Sequence, residues 1–147
     1  MKNIWSVLCA KATIDQMTNS LSLNDCVDEA TISFTEASDM QKDIKNIPVS
    51  ITSVNLWYDE DIKEDRELDY VIEIYDPKGT KVGNYPIKAK LEKGKKRLRT
   101  LAQINTLQLT TEGRYDFRIK YKDNDANSLV EVAEIPIDIK FVLNIKK

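Results

Sequence analysis

The chain has 147 residues, 41% of them hydrophobic, with 22 Lys and Arg against 24 Asp and Glu for a formal charge of -2. That balance fits one domain with a core of its own and lacks the basic excess of a dedicated nucleic-acid binder. There is no histidine and there are only two cysteines, which removes His-assisted nucleophiles, His metal sites and cysteine-based zinc or disulfide frameworks.

At the N-terminus, Lys2, the apolar run Ile4 to Ala10 and the small-x-small triplet Ala10-Lys11-Ala12 have the outline of a short signal peptide. Ser6 interrupts that run. Ile4, Trp5, Val7 and Leu8 read better as core residues of a strand over 3–14. Leu8 stands where lipid attachment at Cys9 would need a small residue. No apolar run reaches the roughly 18 residues of a membrane-spanning helix. The expectation is a cytoplasmic protein with Cys9 and Cys26 as reduced thiols, although strand pairing would allow a bridge between them.

A second strand is expected over 20–34, and 35–46 is the one stretch with a helical option, with Ser38 as its cap. Further on, period-2 alternation dominates. Leu68, Tyr70, Ile72 and Ile74 alternate with Asp69 and Glu73; Tyr115, Phe117, Ile119 and Tyr121 alternate with Asp116, Arg118 and Lys120; and Ile135 to Leu143 form the longest apolar row. Less regular strands fall at 82–92 and 97–109. Asp76-Pro77-Lys78-Gly79 has the composition of a tight turn.

Two runs change phase. Ile47, Val49 and Ile51 give way to Val54, Leu56 and Tyr58, and Val130 and Val132 give way to Ile135 and Ile137. A one-residue slip reverses the buried face, so bulges are expected near Ser53 and Ala133. Pro136 has no N–H and predicts an edge or a bulge in the last strand. About eight strands with short turns give an all-β, single antiparallel β-sandwich, Ig-like or C2-like, over 1–147.

If each strand crosses once and reverses, the connections 15–19, 59–69, 93–96 and 123–129 share one end. The connections 35–46, 76–80 and 110–113 share the other. The first end then holds an acidic run, 59–69, with seven acids and two bases, beside a basic run, 88–99, with seven bases and one acid. Antiparallel pairing across the 76–79 turn, with residue numbers summing to roughly 156, sets Glu60 near Lys96 and Ile62 near Gly94. Mutual neutralisation of two solvated edges accounts for such runs, each exposed pair contributing under about 1 kcal/mol.

Asp59, Asp61 and Asp65 could face Asp123 and Asp125 as oxygen ligands for Ca²⁺, with Lys93, Lys95 and Lys96 opposing the cation. Those lysines, with Arg97 and Arg99, could instead meet phosphates, but no aromatic residue inside the run offers a base a stacking partner. No nucleophile has an activating partner, and no carboxylate pair is marked out by spacing. Trp57 is out of phase with Leu56 and Tyr58. Either it is exposed as a partner anchor, or it fills the second face of a strand buried on both sides, the core being the simpler placement.

The stretch Leu109-Thr110-Thr111-Glu112-Gly113-Arg114-Tyr115-Asp116-Phe117 resembles the corner before a late strand in immunoglobulin-like and fibronectin-type sandwiches. Val7-Leu8-Cys9, Leu21-Ser22-Leu23, Asp76-Pro77-Lys78-Gly79 and Gly113-Arg114-Tyr115-Asp116-Phe117 also resemble, in this order, a family of uncharacterised bacterial β-sandwich proteins. Ala10-Lys11 follows the cysteine where that family often has an acid. The resemblance implies the fold and a bacterial cytosol, and no activity. The resulting expectation is a non-enzymatic binding module without a cofactor, for a protein partner or a second copy of itself, with Trp57, Lys93, Lys95 and Lys96 as candidate contacts. A Ca²⁺- or phospholipid-responsive C2-like module and a phage or viral structural protein are the alternatives.

Overall fold

In a computed structural model, which describes residues 1–60, 62–123 and 127–144, the chain forms nine strands and one short helix. They are β1 (Lys2–Ile14), β2 (Leu21–Cys26), β3 (Glu29–Phe34), α1 (Ala37–Met40), β4 (Lys45–Tyr58), β5 (Arg66–Tyr75), β6 (Lys81–Leu91), β7 (Arg97–Leu109), β8 (Gly113–Asp123) and β9 (Ser128–Leu143). A four-stranded sheet has the order β2-β1-β4-β7 and a five-stranded sheet the order β3-β9-β8-β5-β6. No helix among the described residues is long and apolar enough to cross a membrane.

The alternating rows do what their period dictates. Tyr70, Ile72 and Ile74 of β5, Tyr115, Phe117 and Ile119 of β8, and Ile137 and Ile139 of β9 are buried in one core cluster with Leu8, Trp57, Ile104, Leu107 and Leu109 from the other sheet. The expected turn forms at Asp76. Its carboxylate Oδ1 accepts the backbone N–H of Lys78 and Thr80, and Gly79 takes φ +84°. β5 and β6 pair with numbers summing to 157, as in Leu68↔Ala89, one residue from the expected register.

The segment 20–34 corrects the sequence reading. It is two strands in different sheets, and β3 pairs with β9 in parallel, so the sandwich is not wholly antiparallel. After Cys26, the Val27 N–H bonds to Leu8 O, and the chain then passes to the other sheet. The first half of β1 and the whole of β3 together make one traverse, with the β1–β2 hairpin as an excursion between them. The loop grouping therefore survives the extra strand. Arg99 Nη1 donates to Asn19 O at 2.8 Å, Lys93 N to Asp65, and Asp59 N to Lys96 O at one end. Lys45 Nζ donates to Thr110 O at 2.6 Å, and Thr110 Oγ1 to Asp76 Oδ2, at the other.

The phase changes have two different causes. In β9 the register shifts at Ile119↔Ala133 and Lys120↔Glu131, leaving Val132 as the extra residue beside Ala133. In β4 the irregularity lies between Pro48 and Ile51, upstream of Ser53, and the odd positions stay inward as far as Trp57. Val54, Leu56 and Tyr58 occupy the outer face. Pro136 also finds a tolerant place. Asp138 N–H bonds to Asp28 O on the β3 side, so the nitrogen of Pro136 points the same way, beyond the start of β3 where no ladder partner stands.

Candidate functional site

β4 is apolar on both faces, and each face has a different cover. Inward, Trp57 is fully buried, its ring 5.1 Å from that of Tyr70 and 6.2 Å from that of Tyr121. Its Nε1 donates to Thr100 Oγ1 at 3.0 Å, and Tyr70 OH donates to the same oxygen at 2.9 Å. Burial raises the Tyr70 hydroxyl above its ordinary pKa, against the lowering effect of its bonds with Thr100 and Asn55. Trp57 is therefore a core residue and presents no surface to a partner.

Outward, Val54 faces Val7 and Leu101, and Leu56 faces Trp5 and Arg99, in direct cross-strand register. The β1–β2 hairpin lies against this face and leaves a groove of about 880 Å³. Trp5, Ile14, Leu21, Leu23 and Leu56 give it apolar lining, while Leu98, between the two arginines and opposite Trp57, turns its side chain to the core. Ile14 remains 41% exposed, and Leu101, farther along the same face, 42%. Lys95, Arg97 and Arg99 stand on one wall. An outer sheet face in water ordinarily carries polar side chains, so an apolar groove here is the feature that needs a function.

The expected site residues among the described ones have definite places, Asp123 lying opposite Ser128 at the end of β8. Lys93, Lys95 and Lys96 sit in the 92–96 turn. The Lys93 N–H is held by Asp65 Oδ1 at 2.8 Å, Lys95 Nζ pairs with Glu92 at 3.2 Å, and Lys96 O accepts from Asp59 N. Only Lys95 lines the groove. Of the proposed calcium ligands, Asp59 is engaged by Arg66, and Asp65 by Lys90 at 3.1 Å as well as by Lys93 N. The backbone bond from Lys93, then Lys90, hold the Asp65 carboxyl below its ordinary range. Asp61 and Asp125 lie outside the described residues. Among the described residues, no three Cys, Asp or Glu side chains form a metal-binding group.

Two other clusters contain ionisable groups near or in a concave surface. On the outer face of the five-stranded sheet, Glu73 is 4% exposed and accepts from Tyr75 OH at 2.8 Å, Lys81 Nζ at 3.1 Å and Lys120 Nζ at 3.1 Å. Burial alone would raise its pKa. The bonds from Tyr75, Lys81 and Lys120 outweigh burial and bring it down to about 2. At the far end, a pocket of about 680 Å³ is lined in part by Lys45, Asp76, Thr110 and Phe141. Lys45 is 6% exposed there, donates to the carbonyls of Lys42 and Thr110, and lies 5.2 Å from the Phe141 ring centre. In both clusters the charged groups are satisfied by their own neighbours, as structural ties are.

Sequence reasoning missed the groove because its walls come from four separated segments. The signal that could have found it is the run of β4 after Thr52, where apolar residues occupy both phases. The chain matches no family model and no curated protein.

Proposed function

We propose that this protein is a non-enzymatic binding module for a protein partner, and that the outer groove of the four-stranded sheet is its binding surface. One observation carries the reading. Trp5, Leu21, Leu23 and Leu56 line an open groove on a sheet face that water would otherwise occupy, with Arg97 and Arg99 beside it. Two packed sheets stand behind it, and the absence of histidine removes the commonest general base. A bacterial cytosolic setting follows the family resemblance and is part of this proposal.

The finer type of the sandwich is immunoglobulin- or fibronectin-like in this reading. In support, Tyr115 OH donates to Thr111 O at 2.6 Å and accepts from Thr110 N at 2.9 Å, the bonding of a tyrosine corner. The split first traverse, β1 in one sheet and β3 in the other, points the same way.

The test is capture from the native host with the full chain immobilised, followed by rebinding of the purified candidate. A partner that rebinds wild type and is lost with Leu56→Glu and with Ile14→Glu, both checked for folding by circular dichroism, supports the reading. A purified partner indifferent to both substitutions, or none that rebinds, removes it.

A further inference from the structure

Among the described residues of this end, Arg97 and Arg99 carry charge that no ion pair uses. Two carboxylates of the acidic run beside them are committed elsewhere, Asp59 to Arg66 and Asp65 to Lys90 and Lys93 N. Glu60 accepts from Tyr58 OH. Among the described residues, no carboxylate oxygen lies within ion-pair distance of either arginine. Arg99 spends one Nη1 proton on the Asn19 carbonyl, which pins the hairpin tip, and keeps further donors. Among the described residues Lys95 pairs with Glu92 alone, and both are largely exposed, a pairing that water screens. A guanidinium offers a planar fork that matches a carboxylate, and two of them, two residues apart on one strand, project from the same face.

The groove beside them has an aliphatic side facing the arginines, with Asn19 and Ser20 at the hairpin tip. Ile14, Leu21, Leu23 and Leu56 suit branched or aromatic side chains, and Trp5 is its one aromatic member. A single-stranded nucleic acid would want successive aromatic platforms. The groove's volume of about 880 Å³ suits a short anchor segment.

Resting on the reading of this groove as a protein-binding surface, we infer that its occupant is an extended acidic segment of the partner, with apolar side chains between Trp5 and Leu56 and carboxylates on Arg97 and Arg99. Recognition is then amphipathic. The apolar anchors supply affinity, and the arginines set polarity and registration and quicken encounter at low salt.

Fluorescence anisotropy tests this with four labelled probes on the full chain: a ten-residue peptide alternating Glu with Leu and Phe, the same peptide with Lys for Glu, the same with Ser for the apolar residues, and oligo-dT. The expected result is saturable binding of the first alone, weakened at high salt, with a change in tryptophan emission. Arg97→Glu, which sits on an exposed side chain, should weaken it at least tenfold. Arg97→Glu with Arg99→Glu should bring the lysine peptide into binding, a gain that misfolding would not produce. Equal binding of the lysine peptide to wild type overturns the acidic partner and leaves the groove as a binding surface. Equal binding of the serine peptide, or binding of oligo-dT in preference to peptide, overturns both. If no probe binds wild type, the acidic-segment inference falls, while the capture experiment with Leu56→Glu still decides the groove by itself.

Discussion

Cys9 stands directly opposite Cys26 in the β1–β2 ladder, and the bond from Val27 N–H to Leu8 O marks that pair as a narrow, non-hydrogen-bonded one. Such pairs set Cα atoms about 4.5 Å apart, inside the range a disulfide spans. Both thiols are free. Cys9 is buried, with its pKa raised by desolvation and further by Cys26, while Cys26 is exposed. Diamide should therefore join them within the chain, the two thiols giving up two hydrogens to the reagent. Intact mass and peptide mapping check this. The bridge would close a short loop, and melting should rise by an amount near 2–3 kcal/mol of added stability. Only intermolecular dimers after oxidation would show that the hairpin does not hold this register.

The corner before β8 depends on two residues. Gly113 has φ +137°, and a Cβ there would come within 2.9 Å of Pro77 Cγ. Gly113→Ala should cost about 1–3 kcal/mol through strain and displacement of the proline ring. Tyr115→Phe keeps the packing and removes both hydroxyl bonds, leaving Thr111 O and Thr110 N without them, at a similar cost of about 1–3 kcal/mol. Chemical denaturation of the two variants reads these values directly.

Glu73 gives a dependence on pH whose sign is fixed. Its pKa falls from an ordinary 4.5 to about 2 on folding, so its stabilisation is complete above about pH 4.5 and is lost as pH drops from there toward 2. The shift corresponds to at most about 3 kcal/mol, less whatever water screens at Lys81, which is half exposed. In Glu73→Gln the stability should fall at neutral pH, and its slope between pH 5 and 2 should flatten. An unchanged slope in urea titrations at several pH values would refute this assignment.

Calcium should leave the melting temperature where it is. Asp59 and Asp65 already answer to Arg66 and to Lys90 and Lys93, and a cation would have to displace those partners. Stabilisation by several degrees at sub-millimolar Ca²⁺, abolished by Asp61→Asn, would instead favour a C2-like module.

The amino-acid order by itself determined the strands that alternate, the Asp76 turn, the extra residue near Ala133 and the company of the acidic and basic runs. All of these follow from the period of a pleated chain and from connections of a few residues. It did not determine which strand β3 would join, because a parallel neighbour over a hundred residues away leaves no local mark. Nor could alternation say why β4 has apolar residues in both phases. A bulge and a second covered face write the same pattern, and only the folded position of the β1–β2 hairpin distinguishes them. The groove, with Arg97 and Arg99 at its side, belongs to that tertiary decision, since burial of a face depends on what packs over it.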